Sequence, residues 1–185
     1  MSIRFPANWP IFKYHPDPIA SGVIIRFDGH CPCCQQQRGW GYVGPFFCVD
    51  EVENLCPWCI ADGRAAQQFD LTFIDEFSME QLGDSAKDAE LMQRTPNYFY
   101  LAMNDSWPHH CGDYCRVVPT TEITATAAVA AHQQQLQADI TRVCQENDLT
   151  EDEFNALIAQ DDAPFAVQLF QCCHCHQFRL TGGFE

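Results

Sequence analysis

The stretch from Cys31 to Cys59, CPCCQQQRGWGYVGPFFCVDEVENLCPWC, constrains the fold of this chain more than any other. It carries two Cys-x-x-Cys pairs, Cys31/Cys34 and Cys56/Cys59, on either side of residues 35–55. Thiolates delivered as close pairs suit Zn²⁺, which takes soft sulfur ligands in a closed tetrahedron. The spacer lies at the edge of the usual ~15–20 residues. Between the pairs, Gly39, Gly41, Gly44 and Pro45 punctuate Trp40, Tyr42, Val43, Phe46 and Phe47, which predicts a hairpin. The run IADGRAAQQF after the second pair predicts a helix despite Gly63. Knuckle, hairpin and a helix carrying the second pair form the order of a treble-clef finger. Cys33 and Cys48 read as packed or partly exposed thiols, with Cys48 a substitute ligand.

Cys56-Pro-Trp-Cys59 has a second reading as a glutaredoxin-type redox motif, with Val118-Pro119 where that fold wants a cis-proline. Three features oppose it, the first being that the residues before Cys56, with Asn54 among them, do not read as a buried strand. Redox chemistry has no use for a second Cys-Pro-x-Cys upstream. The flank also carries Asp50, Glu51 and Glu53, and negative charge raises a thiol pKa rather than lowering it.

A chain of 185 residues with 46% hydrophobic content supports one domain, spanning 1–185, with a real core. No apolar run reaches the roughly 18 residues of a membrane span, and MSIRFPANWPIFKYHPDP lacks the apolar centre of a signal peptide. Twelve cysteines, eight of them in close pairs, without such a signal, predict thiolates kept reduced in a cytoplasm. The net charge is −15, from 10 basic and 25 acidic residues. Phosphate binding needs Lys and Arg, so nucleic-acid and anionic-membrane partners are excluded. A basic protein is the partner such a field steers in. The acidic surface is sought at Asp50, Glu51 and Glu53, at Asp75 and Glu76, and at Asp148, Glu151, Asp152, Glu153, Asp161 and Asp162.

Elsewhere, residues 9–20 are proline-punctuated and read as extended, with His15 a hydrogen-bonded structural residue. Residues 22–27 and 71–74 predict strands, the second with Leu71, Phe73 and Phe77 on one face. Residues 78–93 predict a helix broken near Gly83, and 98–103 a strand. Ile123, Ala127, Leu136, Ile140 and Val143 mark a helix over 120–146. Thr150-x-x-Glu153 is a capping box for a second helix. Residues 165–171 and 178–180 predict strands around Cys172-x-x-Cys175, a half-site. Its complement is Cys111/Cys115, four apart and on one face if that stretch is helical. A second Cys₄ zinc site from Cys111, Cys115, Cys172 and Cys175 is therefore expected, with His109, His110, His174 and His176 in reserve. A His in place of one thiolate makes Cys₃His, and an open position makes a hydrolase possible.

WPIFKYHPDPIASG, the CPCC knuckle, RGWGYVGPFF, DEVENLCPWCIADG, AAQQFDLTFID, RTPNY, HCGDYC and LFQCCHC together resemble the bacterial CbrC family. The resemblance covers 9–117 and 165–180, leaving 118–164 as a helical insertion. It implies a cysteine-rich, zinc-stapled cytoplasmic protein without an established enzymatic activity, with the eight paired cysteines carried over. Tolerance of a nuclease colicin in that family implies immunity: an acidic protein covering a basic toxin domain. The family closes on Cys-x-x-Cys-Gly-x-His, where this chain has His176 and Phe178. The expected fold is α+β: a treble-clef-like finger and a second knuckle, packed with short strands and a two-helix segment. The alternatives are a zinc hydrolase, a thiol oxidoreductase and a regulatory adaptor. The first two lack a His-Glu-x-x-His helix, a serine elbow or a phosphate loop.

Overall fold

A computed structural model describes residues 6, 8–99, 106–119, 125–160 and 164–184. It mixes short strands and helices. Strands β1 (Ile24–Phe27) and β2 (Gly39–Tyr42) pair antiparallel, with Ile24 opposite Tyr42 and Phe27 opposite Gly39. The hairpin thus encloses the first knuckle in its loop, where the sequence placed a hairpin after it. Gly41 suits a close approach: a Cβ there would lie 3.0 Å from the Phe27 Cβ, and the neighbour would have to give way. Helix α1 (Pro57–Ala61) starts at Cys56 with Pro57 in its first turn, where a missing N–H costs nothing. Gly63, at φ 79, turns the chain into α2 (Arg64–Phe69).

The strand expected over 71–74 shrinks to one bridge, Phe47 to Thr72. Leu71, Phe73 and Ile74 are nonetheless buried, whereas Phe77 is 86% exposed and does not share their face. Phe77 belongs to a 3₁₀ turn, Glu76–Ser78, capped by the Asp75 carboxylate. Gly83 separates that turn from α3 (Ser85–Arg94), capped by Asp84. Tyr98 and Phe99 are not in a strand, and the rest of the strand expected over 98–103 lies outside the described residues. His15 is structural as expected. It donates Nδ1–H to the Pro96 carbonyl at 2.7 Å, which leaves Nε2 to accept from the Ser21 hydroxyl at 2.7 Å.

Strands β3 (His109–His110) and β4 (Asp113–Tyr114) form a second hairpin. Its two-residue loop, Cys111-Gly112, has φ 54 and 71. Positive φ at both positions is the primed-turn geometry that matches strand twist. Strand β5 (Arg116–Val117) pairs with β6 (Phe165–Gln171), and β6 with β7 (Phe178–Phe184), all antiparallel.

Helices α4 (Ala125–Glu146) and α5 (Glu151–Ile158) cover one face of that sheet. Leu136, Ile140 and Val143 meet Phe154, Val167, Leu169 and Leu180 there. The capping box is formed, with Thr150 and Glu153 each satisfying the other's backbone N–H. Residues 120–124 of the expected longer helix, Ile123 included, lie outside the described residues. Side chains alternate along a strand, so Phe170 faces the other way. Its ring lies 5.4 Å from Trp107 and 5.7 Å from Tyr98, inside the core built by residues 12–117. Strand β6 is the wall between two cores.

Candidate metal centres

The first centre forms where the β1–β2 loop meets the start of α1. Cys31 and Cys34 come from the loop, Cys56 caps α1 and Cys59 lies one turn in. The four Sγ atoms all lie within 4.8 Å of one another. Cys31 Sγ is 3.9 Å from Cys59 Sγ, and Cys34 Sγ is 3.8 Å from Cys56 Sγ. A tetrahedral ion with Zn–S bonds of about 2.3 Å separates its sulfurs by about 3.8 Å. The residues therefore fit zinc in number, donor type and span. Cys31, Cys56 and Cys59 are buried and Cys34 is half-buried. In the same core the Trp9 ring lies 5.3 Å from Trp40 and 5.6 Å from Trp58.

Electrostatics favour a thiolate at Cys31 and resist one at Cys56 and at Cys59. Hydrogen bonds from the Cys56 side chain, and then from backbone N–H groups, pull Cys31 down to about 4 against the cost of burial. The Cys56 backbone N–H reaches Cys31 Sγ at 3.3 Å. Cys56 is pushed far up, first by that same hydrogen bond and then by burial. Burial pushes Cys59 up as well. A divalent cation removes this conflict by deprotonating its ligands outright.

The second centre differs from the expected set. The grouped residues are His110, Cys111, Cys172 and Cys175, again with ligand atoms all within 4.8 Å. His110 Nδ1 is 3.2 Å from Cys111 Sγ and 3.3 Å from Cys175 Sγ. These distances are a few tenths of an ångström short of the roughly 3.6 Å expected across a tetrahedral zinc. Cys115 stands outside the group. The primed turn at Cys111-Gly112 replaces the helix that would have aligned Cys111 with Cys115. Cys115 instead follows β4 into the core, wholly buried, with its thiol pushed up first by burial and then by the charge at Cys172. His110 supplies the fourth donor.

Burial also pushes Cys172 up, but backbone N–H groups of Cys175 and His174 and the His110 ring outweigh it and hold it at about 6. Polar side chains brace this site. Asp113, buried, accepts from Tyr14 at 2.8 Å, pairs with Lys13 at 2.8 Å and with His174 at 2.9 Å. Burial raises the Asp113 carboxyl, yet these three partners win and hold it at about 2. The Arg179 guanidinium donates to Asp139 at 2.9 Å, to Glu80 at 3.2 Å and to the His109 carbonyl at 2.6 Å. It ties α4 and β7 to β3.

A model of the uncharacterised protein family UPF0167 matches residues 9–184. The chain belongs to this family. A UPF0167 protein of Mycobacterium bovis, Mb2317, is 42% identical over 112 residues, 58% of each chain. Another, PA1536 of Pseudomonas aeruginosa, is 38% identical over 109 residues, 57% of this chain and 60% of that protein. The aligned stretch thus spans about three-fifths of these curated relatives. No solved structure matches. The resemblance to CbrC is corrected accordingly: the family model and the relatives carry the UPF0167 name, and the immunity expectation loses the family support it rested on.

In this UPF0167 chain the acidic residues do not form one site. Asp50, Glu51 and Glu53 are exposed on the loop leading to Cys56. Asp75 caps the 3₁₀ turn, the Glu153 carboxylate accepts the Thr150 backbone N–H in the capping box, and Glu151 accepts from Gln137 at 2.8 Å. Glu76, Asp148 and Asp152 are exposed, while Asp161 and Asp162 lie outside the described residues. No helix among the described residues is long and apolar enough to cross a membrane.

Proposed function

We propose that this chain is a zinc-stabilised, non-catalytic protein-binding module. One zinc sits in a treble-clef-type finger on Cys31, Cys34, Cys56 and Cys59, and a second on His110, Cys111, Cys172 and Cys175. The sulfur separations of 3.8 and 3.9 Å in the first cluster carry this reading, because they are the edges of a zinc tetrahedron. Four protein donors at each ion leave no position for a substrate or an activated water, which speaks against a hydrolase. Metal analysis of the purified chain should return two zinc ions per molecule. One ion or none contradicts the pair of centres.

The partner proposed is a basic protein, drawn by a net charge of −15. Asp50, Glu51 and Glu53 support it further, since none forms an ion pair among the described residues. A nuclease-type toxin domain is one such partner, being basic in order to hold nucleic acid. Reduced thiolates favour a cytoplasmic setting. A pull-down at low and at high salt should recover a basic protein whose capture weakens with salt. Salt-independent capture of an acidic protein, or of none, counts against it.

A further inference from the structure

We infer that the second centre is an exchangeable site for a soft divalent cation, whose occupancy stiffens the junction between the two cores, while the metal of the first centre is permanent. The inference rests on the two-zinc reading above and adds a division of labour to it. Metal exchange at a closed site needs an incoming ligand to reach the ion and a protein ligand to swing away. In the first centre Cys31, Cys56 and Cys59 are buried, and only Cys34 is partly open. Three of four thiolates have neither an approach path beside them nor space to leave. In the second centre Cys111 and Cys175 are both exposed, and Cys172 alone is a buried thiolate. Two adjacent corners of the tetrahedron therefore face solvent.

The ligands also come from different parts of the fold. His110 and Cys111 lie on the β3–β4 hairpin, while Cys172 and Cys175 lie in the turn between β6 and β7. An ion there fastens the turn of the C-terminal sheet to the hairpin of the first core. Links that remain across this seam include the β5–β6 pairing, the Phe170 ring among Trp107 and Tyr98, the Arg179 network and the Asp113–His174 pair. They keep the cores together when the ion leaves. The turn itself, closed by the Cys172 N–H to Gln177 and the His176 N–H to Cys172, then loosens.

The test is a time course on the full chain loaded with two zinc ions, challenged with excess EDTA and followed by native mass spectrometry. One ion should leave at least tenfold faster than the other. Cys111→Ser and Cys175→Ser should each abolish the fast ion and leave the slow one. After the fast step, amide exchange should rise tenfold or more over 109–114 and 172–177 and stay unchanged over 31–36 and 56–61. Loss of both ions at one rate overturns the inference, as does a fast ion that survives both substitutions. A chain that holds one ion, untouched by Cys111→Ser, overturns this inference and leaves zinc at the first centre. A chain that holds none overturns both readings.

Discussion

The two clusters are built from nearly the same chemistry and placed in opposite surroundings. The first has four thiols, three of them buried, within the same core as Trp9, Trp40 and Trp58. The second has three thiols and a His, two of the thiols exposed, and is braced by charged side chains rather than aromatic rings. The difference follows from where each lies. The first is part of a hydrophobic core, which cannot close around uncompensated thiolates. The second sits on the seam between two cores that each have apolar packing of their own. On the reading proposed above, an ion in the first centre is a condition of folding, whereas an ion in the second adjusts a fold that stands without it.

The most direct way to break this contrast is to remove one ligand from each centre. Cys59→Ser takes away a buried donor at the start of α1. Structural zinc in small fingers supplies on the order of 10 kcal/mol, more than a domain of this kind can lose. The variant should show no cooperative thermal transition by circular dichroism. Cys175→Ser, by contrast, should bind one ion fewer and still melt cooperatively. If the two variants melt alike, the contrast between a folding site and a seam site fails.

A smaller effect, confined to the first core, comes from acid. Burial holds the His15 imidazole down at about 4, against 6.5 for a free side chain. Between those values the unfolded chain takes up a proton that the folded chain refuses. Stability from His15 is therefore complete above pH 6.5 and is lost as pH falls toward 4. The loss is roughly 3 kcal/mol for a shift of this size. Denaturant titrations from pH 7 to pH 4 should show it in Cys175→Ser as well as in the unaltered chain. His15→Asn should flatten that part of the slope. An equal slope in His15→Asn would mean that the thiols alone account for acid sensitivity.

What could be read from sequence depended on how local the determinant is. The first centre was legible because two Cys-x-x-Cys pairs carry their geometry in their spacing. Thr150 and Glu153 were legible for the same reason, since a capping box closes within one turn. The hairpin was misplaced because β2 pairs backward with β1 across the knuckle, a choice made by Phe27 lying against Gly41 and not by any turn residue in 43–47. Phe77 was assigned to a buried face because a period of two was continued past Asp75, which caps a 3₁₀ turn instead. The role of Phe170 had no local signal, because facing a second core depends on what the first core leaves open. The choice of His110 over Cys115 did have one. Gly112 after Cys111 permits a two-residue hairpin loop, whereas Cys111 and Cys115 share a face only if the stretch is helical.

The gentlest prediction addresses that last point. Cys115 is wholly buried, and its thiol lies outside the second cluster. Its carbonyl accepts the Trp107 indole N–H at 2.8 Å, a backbone role that any side chain preserves. Cys115→Ser replaces a thiol that behaves as a small apolar group with a hydroxyl in a core position. The cost should be about 1–2 kcal/mol, from burying that hydroxyl. The zinc count should stay at two, and the fast chelator-accessible ion should be unchanged. His110→Ala should do the reverse, lowering the zinc count by one at little cost to the melting of the first core. If Cys115→Ser loses an ion and His110→Ala does not, the ligand set is the all-cysteine one. The second centre would then draw its fourth donor from inside the core, and the contrast between a buried and an open site would weaken with it.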